Sequence, residues 1–268
     1  MRSAVLPAGS SSGRGVPVGC TAKSLDDPAE LYHEASKYYP SCLERPPLAV
    51  GIAGQDASGE WLPTKSRSYL HAVQLPEPDA PALGLLQAIR ARRSRISFEG
   101  RLTLSAVATL LFAAYGVTDP RNAGHLRRSV PSAGGLYPLD WYLASLTVED
   151  LPRGLYHYEP STHSLEVVSL QDVLPALEQA ILTRELLRKA AAVFILTALF
   201  ERSRRKYGLR AYRFVLLEAG HSMQNVLLMA TCLGIDAIPI GGYLDAEFDR
   251  LLRVNGVDET TLYVAAAG

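Results

Sequence analysis

The chain has 268 residues, 48% of them hydrophobic, and its 27 basic and 27 acidic side chains leave a formal net charge of zero. That balance suits one large or two small globular domains with a real core. It excludes any broad electrostatic pull toward nucleic acid or an anionic membrane, so local arginine clusters need local causes.

Residues 1–27 are rich in Gly and Ser and are expected to be disordered. Residues 28–82 read as a Pro-rich arm (Pro40, Pro46, Pro47, Pro63, Pro76, Pro78, Pro81), with a short helix over Leu31–Tyr39. The compact domain is expected over 83–268. It opens with a helix over Gly84–Arg93. A second follows over Leu104–Tyr115, where Val107, Leu110, Leu111 and Ala114 share one face and Gly116 stands at the cap. A polar, basic loop covers Thr118–Pro131. Trp141–Leu146 reads as a strand, and Gly154–Tyr158 and Leu165–Val168 as a hairpin turned at Pro160–His163. A helix is expected over Val173–Ala190 and a central buried strand over Ala192–Phe200. A long helix over Tyr212–Leu233 ends at Gly234, and Ala237–Ile240 and Leu262–Ala266 are short strands. Helices and strands interleave without a strict βαβ repeat, which indicates an α+β fold.

Tyr212–Leu233 is the longest apolar stretch, but Arg213, Glu218, His221, Gln224 and Asn225 interrupt it. It therefore reads as a buried helix and not a membrane span. No apolar signal segment stands at the N-terminus. Cys20, Cys42 and Cys232 are odd in number and lack metal-ligand or redox spacing, and the histidines form no HExxH. No disulfide framework and no metal site are expected, and a cytoplasmic setting follows.

Five segments carry chemistry. Arg92, Arg93 and Ser94 offer two guanidinium forks and a hydroxyl, the groups that a phosphate dianion needs. Alone they read first as a solvated basic face. In Pro131-Ser132-Ala133-Gly134-Gly135-Leu136-Tyr137-Pro138, two glycines let the backbone approach a planar ligand; alone the segment is a turn before a strand. Lys206-Tyr207 places an ammonium beside a phenol, a pairing that favours the phenolate a proton-abstracting tyrosine needs, with a charged helix surface over Glu201–Arg213 weighing equally. Glu218, Gly220, His221, Gln224 and Asn225 must find partners if buried, in the structure or at a site. Pro239-Ile240-Gly241-Gly242 ends a short strand with a free backbone or a tight turn. No Rossmann fingerprint, Walker A sequence or nucleophile elbow is present.

Together and in this order, RRS, PSAGGLYP, KYG, LEAGHSMQN and PIGGY, with LYHEASK near the N-terminus, resemble the SagB-type branch of the nitroreductase family. These are FMN-dependent dehydrogenases that oxidise thiazolines and oxazolines to azoles in modified peptides. The resemblance implies a mixed sheet flanked by helices in an intertwined homodimer, with FMN at the interface. Arg92, Arg93 and Ser94 would hold the phosphate. Pro131, Ser132, Ala133 and Gly134, Gln224, and Pro239, Ile240, Gly241 and Gly242 would line the flavin, the loop reaching it from the opposite subunit. Lys206 and Tyr207 match the pair implicated in azoline oxidation. Where relatives often carry an Arg two residues after the serine, this chain has Ile96, which moves that contact to Arg95 or removes it. The implied substrate is a peptide or small heterocycle, and a cyclodehydratase the implied partner. Alternatives are an NAD(P)H-dependent nitro or quinone reductase and a non-catalytic scaffold docking through the Pro-rich arm.

Overall fold

The computed structural model describes residues 28, 31, 32, 71–98, 101–119 and 126–268. The chain divides into two compact units, Met1–Lys37 and Tyr38–Gly268. In the first, Pro28, Leu31 and Tyr32 are helical; the expected disorder of 1–27, the rest of the short helix and most of the arm lie outside the described residues.

The centre of the second unit is a seven-stranded sheet in the order β1-β6-β5-β4-β7-β9-β8. The strands are β1 (Ala72–Gln74), β4 (Leu139–Ser145), β5 (Gly154–Glu159), β6 (Ser164–Ser169), β7 (Ala192–Leu199), β8 (Ala237–Ile240) and β9 (Glu259–Ala267). A small separate ribbon pairs β2 (Val117–Asp119) with β3 (Arg127–Arg128) inside the segment read as a loop. The sheet, expected to be mixed, pairs antiparallel along every described strand; the parallel contact is an isolated bridge from Thr103 to Glu149.

β7 is apolar except for Thr197, whose hydroxyl donates to Glu259, because both its faces are covered. Phe194, Leu196 and Ala198 enter one core with α2 (Leu104–Tyr115) and α5 (Ala211–Cys232). Val193 and Ile195 enter a second core with α3 (Leu174–Ala180) and α6 (Asp245–Leu252). The remaining helices are α1 (Leu85–Ala91) and α4 (Phe200–Tyr207). No helix among the described residues is long and apolar enough to cross a membrane, α5 included.

α2 lies where its apolar face placed it. The Thr103 hydroxyl accepts from the Ala106 amide at 3.2 Å, a cap worth about 1 kcal/mol. Gly116 caps the other end, but its φ is −64°, so left-handed freedom is not the reason for glycine. A Cβ there would run into the Phe112 ring. The helix expected over Val173–Ala190 breaks after α3. Ile181 turns extended and bridges to Tyr243, and the Leu182 amide donates to the Gly242 carbonyl at 3.0 Å. Pairing with the chain after β8 thus overrides helical periodicity. The boundary drawn at 82/83 also moves, because β1 lies inside the supposed arm and pairs with β6. α6 was not foreseen.

Candidate functional site

β4 begins at Leu139 and β7 ends at Leu199, side by side. The chain entering β4 and the chain leaving β7 therefore meet at one end of the sheet. Leading into β4, residues Ala133–Gly135 form a 3₁₀ turn in which Gly134 (φ 65°) and Gly135 (φ 67°) are left-handed. Leaving β7, α4 carries Lys206 and Tyr207 in its last turn, and Gly208 (φ 54°) breaks it before α5. The two segments touch. A Cβ on Gly134 would stand 2.6 Å from the Tyr207 Oη and 3.0 Å from the Lys206 Nζ. The Phe214 ring meets the Tyr207 ring edge-on at 5.1 Å, fixing the phenol from the α5 side. Arg202 ties the start of α4 to the same loop, donating to the Tyr137 carbonyl at 3.2 Å and to Asp140 at 3.4 Å.

A buried network lies under the loop. The Ser132 hydroxyl donates to Glu218 Oε2 and the Tyr115 hydroxyl to Glu218 Oε1, each at 2.6 Å. The same two hydroxyls accept from the backbone, Ser132 from the Tyr137 amide at 2.9 Å and Tyr115 from the Leu139 amide at 3.1 Å. The Arg128 guanidinium lies 4.3 Å from the centroid of Tyr115 and 5.0 Å from that of Tyr137. Burial pushes Glu218 up to about 7, against the pull of its hydrogen bonds to Ser132 and Tyr115 and of the Arg128 charge. Burial first, and the Glu218 charge second, raise Tyr115 well above the ordinary phenol range, so it remains a donor.

The other polar residues of α5 divide. Ser222 donates to the Ala114 carbonyl at 2.7 Å and accepts from the Trp141 indole at 3.0 Å; Asn225 donates to the Ala113 carbonyl at 3.0 Å. Those two are structural. His221 and Gln224 are exposed, as is Gly220 between the exposed Leu216 and Leu217 and the exposed Gln224.

The arginine triplet lies elsewhere. Arg92 caps α1, and the Arg93 guanidinium donates to the carbonyls of Arg90 and Arg92 at 2.9 and 2.8 Å. Ser94 is exposed. Next along, the Arg95 amide approaches the Ala237 carbonyl at 3.5 Å and its guanidinium faces Asp236 at 3.7 Å, so that arginine is directed to the start of β8. Ala237 and Ala192 both pair with Ala267, which puts the triplet at the end of the sheet where β7 begins. Gly134, Lys206 and Tyr207 gather where β7 ends. The intervening strand spans roughly 25 Å at about 3.3 Å per residue, so one chain does not bring the two sets together. Pro239–Gly242 lies between those levels, where β8 runs out. Ile240 is buried in the second core and offers only its backbone. Gly241 has neither a left-handed φ nor a neighbour within 4 Å of an added Cβ, so nothing within the chain demands glycine there.

Sequence reading missed Tyr115 and Arg128 as members of the site and left Glu218 undecided. Tyr115 closes the apolar face of α2 and looks like core. Arg128 sits in a basic run whose β-ribbon has no periodic signature. Among the described residues no group of His, Cys, Asp and Glu could hold a metal ion.

An antiparallel sheet with helices on both faces, and a glycine-turn loop closing on a Lys-Tyr pair, defines a class. A model of the nitroreductase family matches residues 89–268, and the chain belongs to that family. MJ1384 of Methanocaldococcus jannaschii, named for the nitroreductases, is 37% identical over 183 residues, covering 68% of this chain and 90% of its own. The microcin B17-processing protein McbC of Escherichia coli is 32% identical over 164 residues, 59% of this chain. The chain spans 58% of McbC. A nitroreductase-named structure from Anabaena variabilis superimposes with a TM-score of 0.70 at 28% identity, over 89% of this chain and 45% of that one. The E. coli microcin synthetase McbBCD complex with truncated pro-MccB17 bound gives 0.58 at 22% identity over 90% and 91%, a likeness of fold.

Proposed function

We propose that this chain is an FMN-dependent dehydrogenase that oxidises azoline rings to thiazoles or oxazoles in a peptide natural product. One observation carries the reading: the glycine turn of the loop packs directly on the Lys206 ammonium and the Tyr207 hydroxyl. Two segments far apart in the chain, each weak in sequence, thereby become one site. The residues fit the cofactor. Gly134 and Gly135 leave a side-chain-free backbone edge, Gly241 another, and Arg92, Arg93 and Ser94 supply cations and a hydroxyl suited to a phosphate. Pro131, Ser132, Ala133, Gln224, Pro239, Ile240 and Gly242 complete the set.

Bound FMN supplies a two-electron acceptor. The chain supplies the rest. Tyr207, as its phenolate, takes a proton from a ring carbon at its Oη and becomes a neutral phenol, and the Lys206 Nζ holds the phenolate's charge until that proton arrives. The loop holds the ring in register and keeps water from it. Since the triplet and the Lys-Tyr pair lie at opposite ends of β7, the complete site is formed by two copies of the chain. The exposed Tyr212, Leu216 and Leu217 around Gly220 support α5 as the pairing face. The likeness to McbC, a microcin B17-processing protein, supports a peptide substrate, and a cyclodehydratase partner is proposed with it. A cytoplasmic setting goes with that partnership.

A second reading, an NAD(P)H-dependent nitro or quinone reductase, is favoured by the fuller coverage of MJ1384, 90% against 58% of McbC. The deciding experiment is the visible spectrum of the purified protein with the released chromophore identified by mass, followed by assays with an azoline peptide and with NADPH. Bound FMN with azole formation supports the dehydrogenase. Rapid bleaching by NADPH without azole formation moves the assignment to the reductase. A colourless protein that takes up no FMN leaves a scaffold.

A further inference from the structure

We propose that Glu218 is a positioning residue: its carboxylate, accepting from Ser132 and Tyr115 together, locks the loop that sets Gly134 against Lys206 and Tyr207, and protonation of that carboxylate unlocks it. The inference rests on the functional reading only for the loop's role toward a flavin. The lock itself is a property of the chain.

The argument is a count of protons. Ser132 and Tyr115 each own one hydroxyl hydrogen, and each oxygen already accepts a backbone N–H, from Tyr137 and from Leu139. Both hydroxyls must therefore donate, and an ionised carboxylate, which only accepts, takes both. Distances of 2.6 Å are those of O–H donors on a charged oxygen. A neutral Glu218 carries its own hydrogen. One hydroxyl must then accept it, and that hydroxyl's proton loses its acceptor where Glu218 is 3% and Tyr115 1% exposed. Ser132 is the partner able to give way, because it stands on a turn, whereas Tyr115 is held at the end of α2.

Movement of Ser132 reaches the site within two residues. Gly134 is left-handed and has no room toward Tyr207 or Lys206. The groups acting on the carboxylate are Tyr115 from α2, Arg128 from β3 and Ser132 from the loop. Lys206 and Tyr207 of α4 meet the loop at Gly134, and His221 of α5 is on that helix's exposed face. Burial holds the carboxyl near neutrality, so both forms are accessible at ordinary pH.

The test uses the full chain in two readouts. The first is hydrogen exchange at the Tyr137 amide, corrected for intrinsic rate, from pH 5.5 to 8.5 without added flavin. Protection in the wild type is expected to rise roughly tenfold through about pH 7, the worth of one net hydrogen bond. In Glu218→Gln, which imitates the protonated acid at every pH, it should stay at the low value. The second is the FMN dissociation constant of the flavin-stripped protein over the same range, which should tighten with pH in the wild type and stay flat in Glu218→Gln and in Ser132→Ala. Equal pH dependence in wild type and Glu218→Gln, or a flat wild-type profile, overturns the proposal. If Glu218→Gln does not fold, the wild-type series and Ser132→Ala decide. Tyr137 protection that follows pH in a protein refusing FMN keeps the lock and removes the flavoenzyme reading. A flavoprotein with flat Tyr137 protection removes the lock alone.

Discussion

The two ends of β7 are built differently. Where the strand ends, Ser132, Tyr115, Arg128 and Glu218 are joined by hydrogen bonds and a cation–ring contact, and the same loop packs at Gly134 on Lys206 and Tyr207, all within one chain. Where it begins, Arg92, Arg93 and Ser94 are half-buried or exposed, and Arg93 serves the carbonyls of its own helix end. A catalytic group must be held against its neighbours before substrate arrives. A phosphate-binding group gains most of its order from the anion. The difference supports the proposal of chemistry at the first end and anchoring at the second.

The largest effect that could break this comparison is on turnover. Replacing Lys206 by Ala and Tyr207 by Phe together should lower azoline oxidation by about 10²- to 10⁴-fold, the range of a lost general base, with FMN content unchanged by absorbance. Full activity in that variant would return the pair to an ordinary charged helix end.

The next effect is on stability. Burial raises Glu218 from the ordinary carboxyl range to about 7, so the folded state holds a proton that the unfolded chain has released. Its contribution is fully present below about pH 4.5, falls as pH rises toward about 7, and is flat above. The difference corresponds to about 3 kcal/mol at most. Denaturant titrations at pH 4.5 and pH 8 should show that slope in the wild type and its loss in Glu218→Gln. Global stability thus falls with pH while Tyr137 protection rises, opposite signs that an undifferentiated core glutamate would not give.

A third prediction compares two adjacent glycines. Both are left-handed, but a Cβ on Gly134 meets the Tyr207 and Lys206 side chains, and one on Gly135 meets nothing within 4 Å. Gly135→Ala should cost about 1 kcal/mol for its backbone alone. Gly134→Ala should cost up to about 3 kcal/mol and displace the pair. Thermal midpoints, with turnover measured on each, separate packing from backbone strain.

What was legible in the sequence follows the same division. α2 and β7 were found because periodicity and length speak for burial, and both are buried as read. The helix through Ile181 failed because a long-range pairing with Tyr243, beyond the reach of any local window, decided it. Among site residues, Lys206, Tyr207 and Gly134 were named separately, but their contact depends on β4 and β7 lying side by side, a topological fact. Arg128 and Tyr115 were missed because a cation lying on tyrosine rings leaves no spacing in the chain.

The smallest expected effect sharpens the anchoring end. A helix C-terminus repels anions, so the triplet must bind phosphate through its own charges. Arg93 already donates twice to the carbonyls that end α1, where a basic side chain stabilises the helix. Arg92 is half-buried and caps the helix through its backbone, leaving its guanidinium for a ligand. Arg92→Ala should therefore weaken FMN binding by about tenfold, as loss of one charge-assisted contact does, with little change in thermal midpoint. Arg93→Ala should do the reverse, losing about 0.5–1 kcal/mol of stability and less affinity. Flavin titration and melting curves on the two variants distinguish the roles. Equal affinity losses with no stability difference would show that both guanidinia turn to the phosphate and that the helix-end bonds of Arg93 give way when the anion binds.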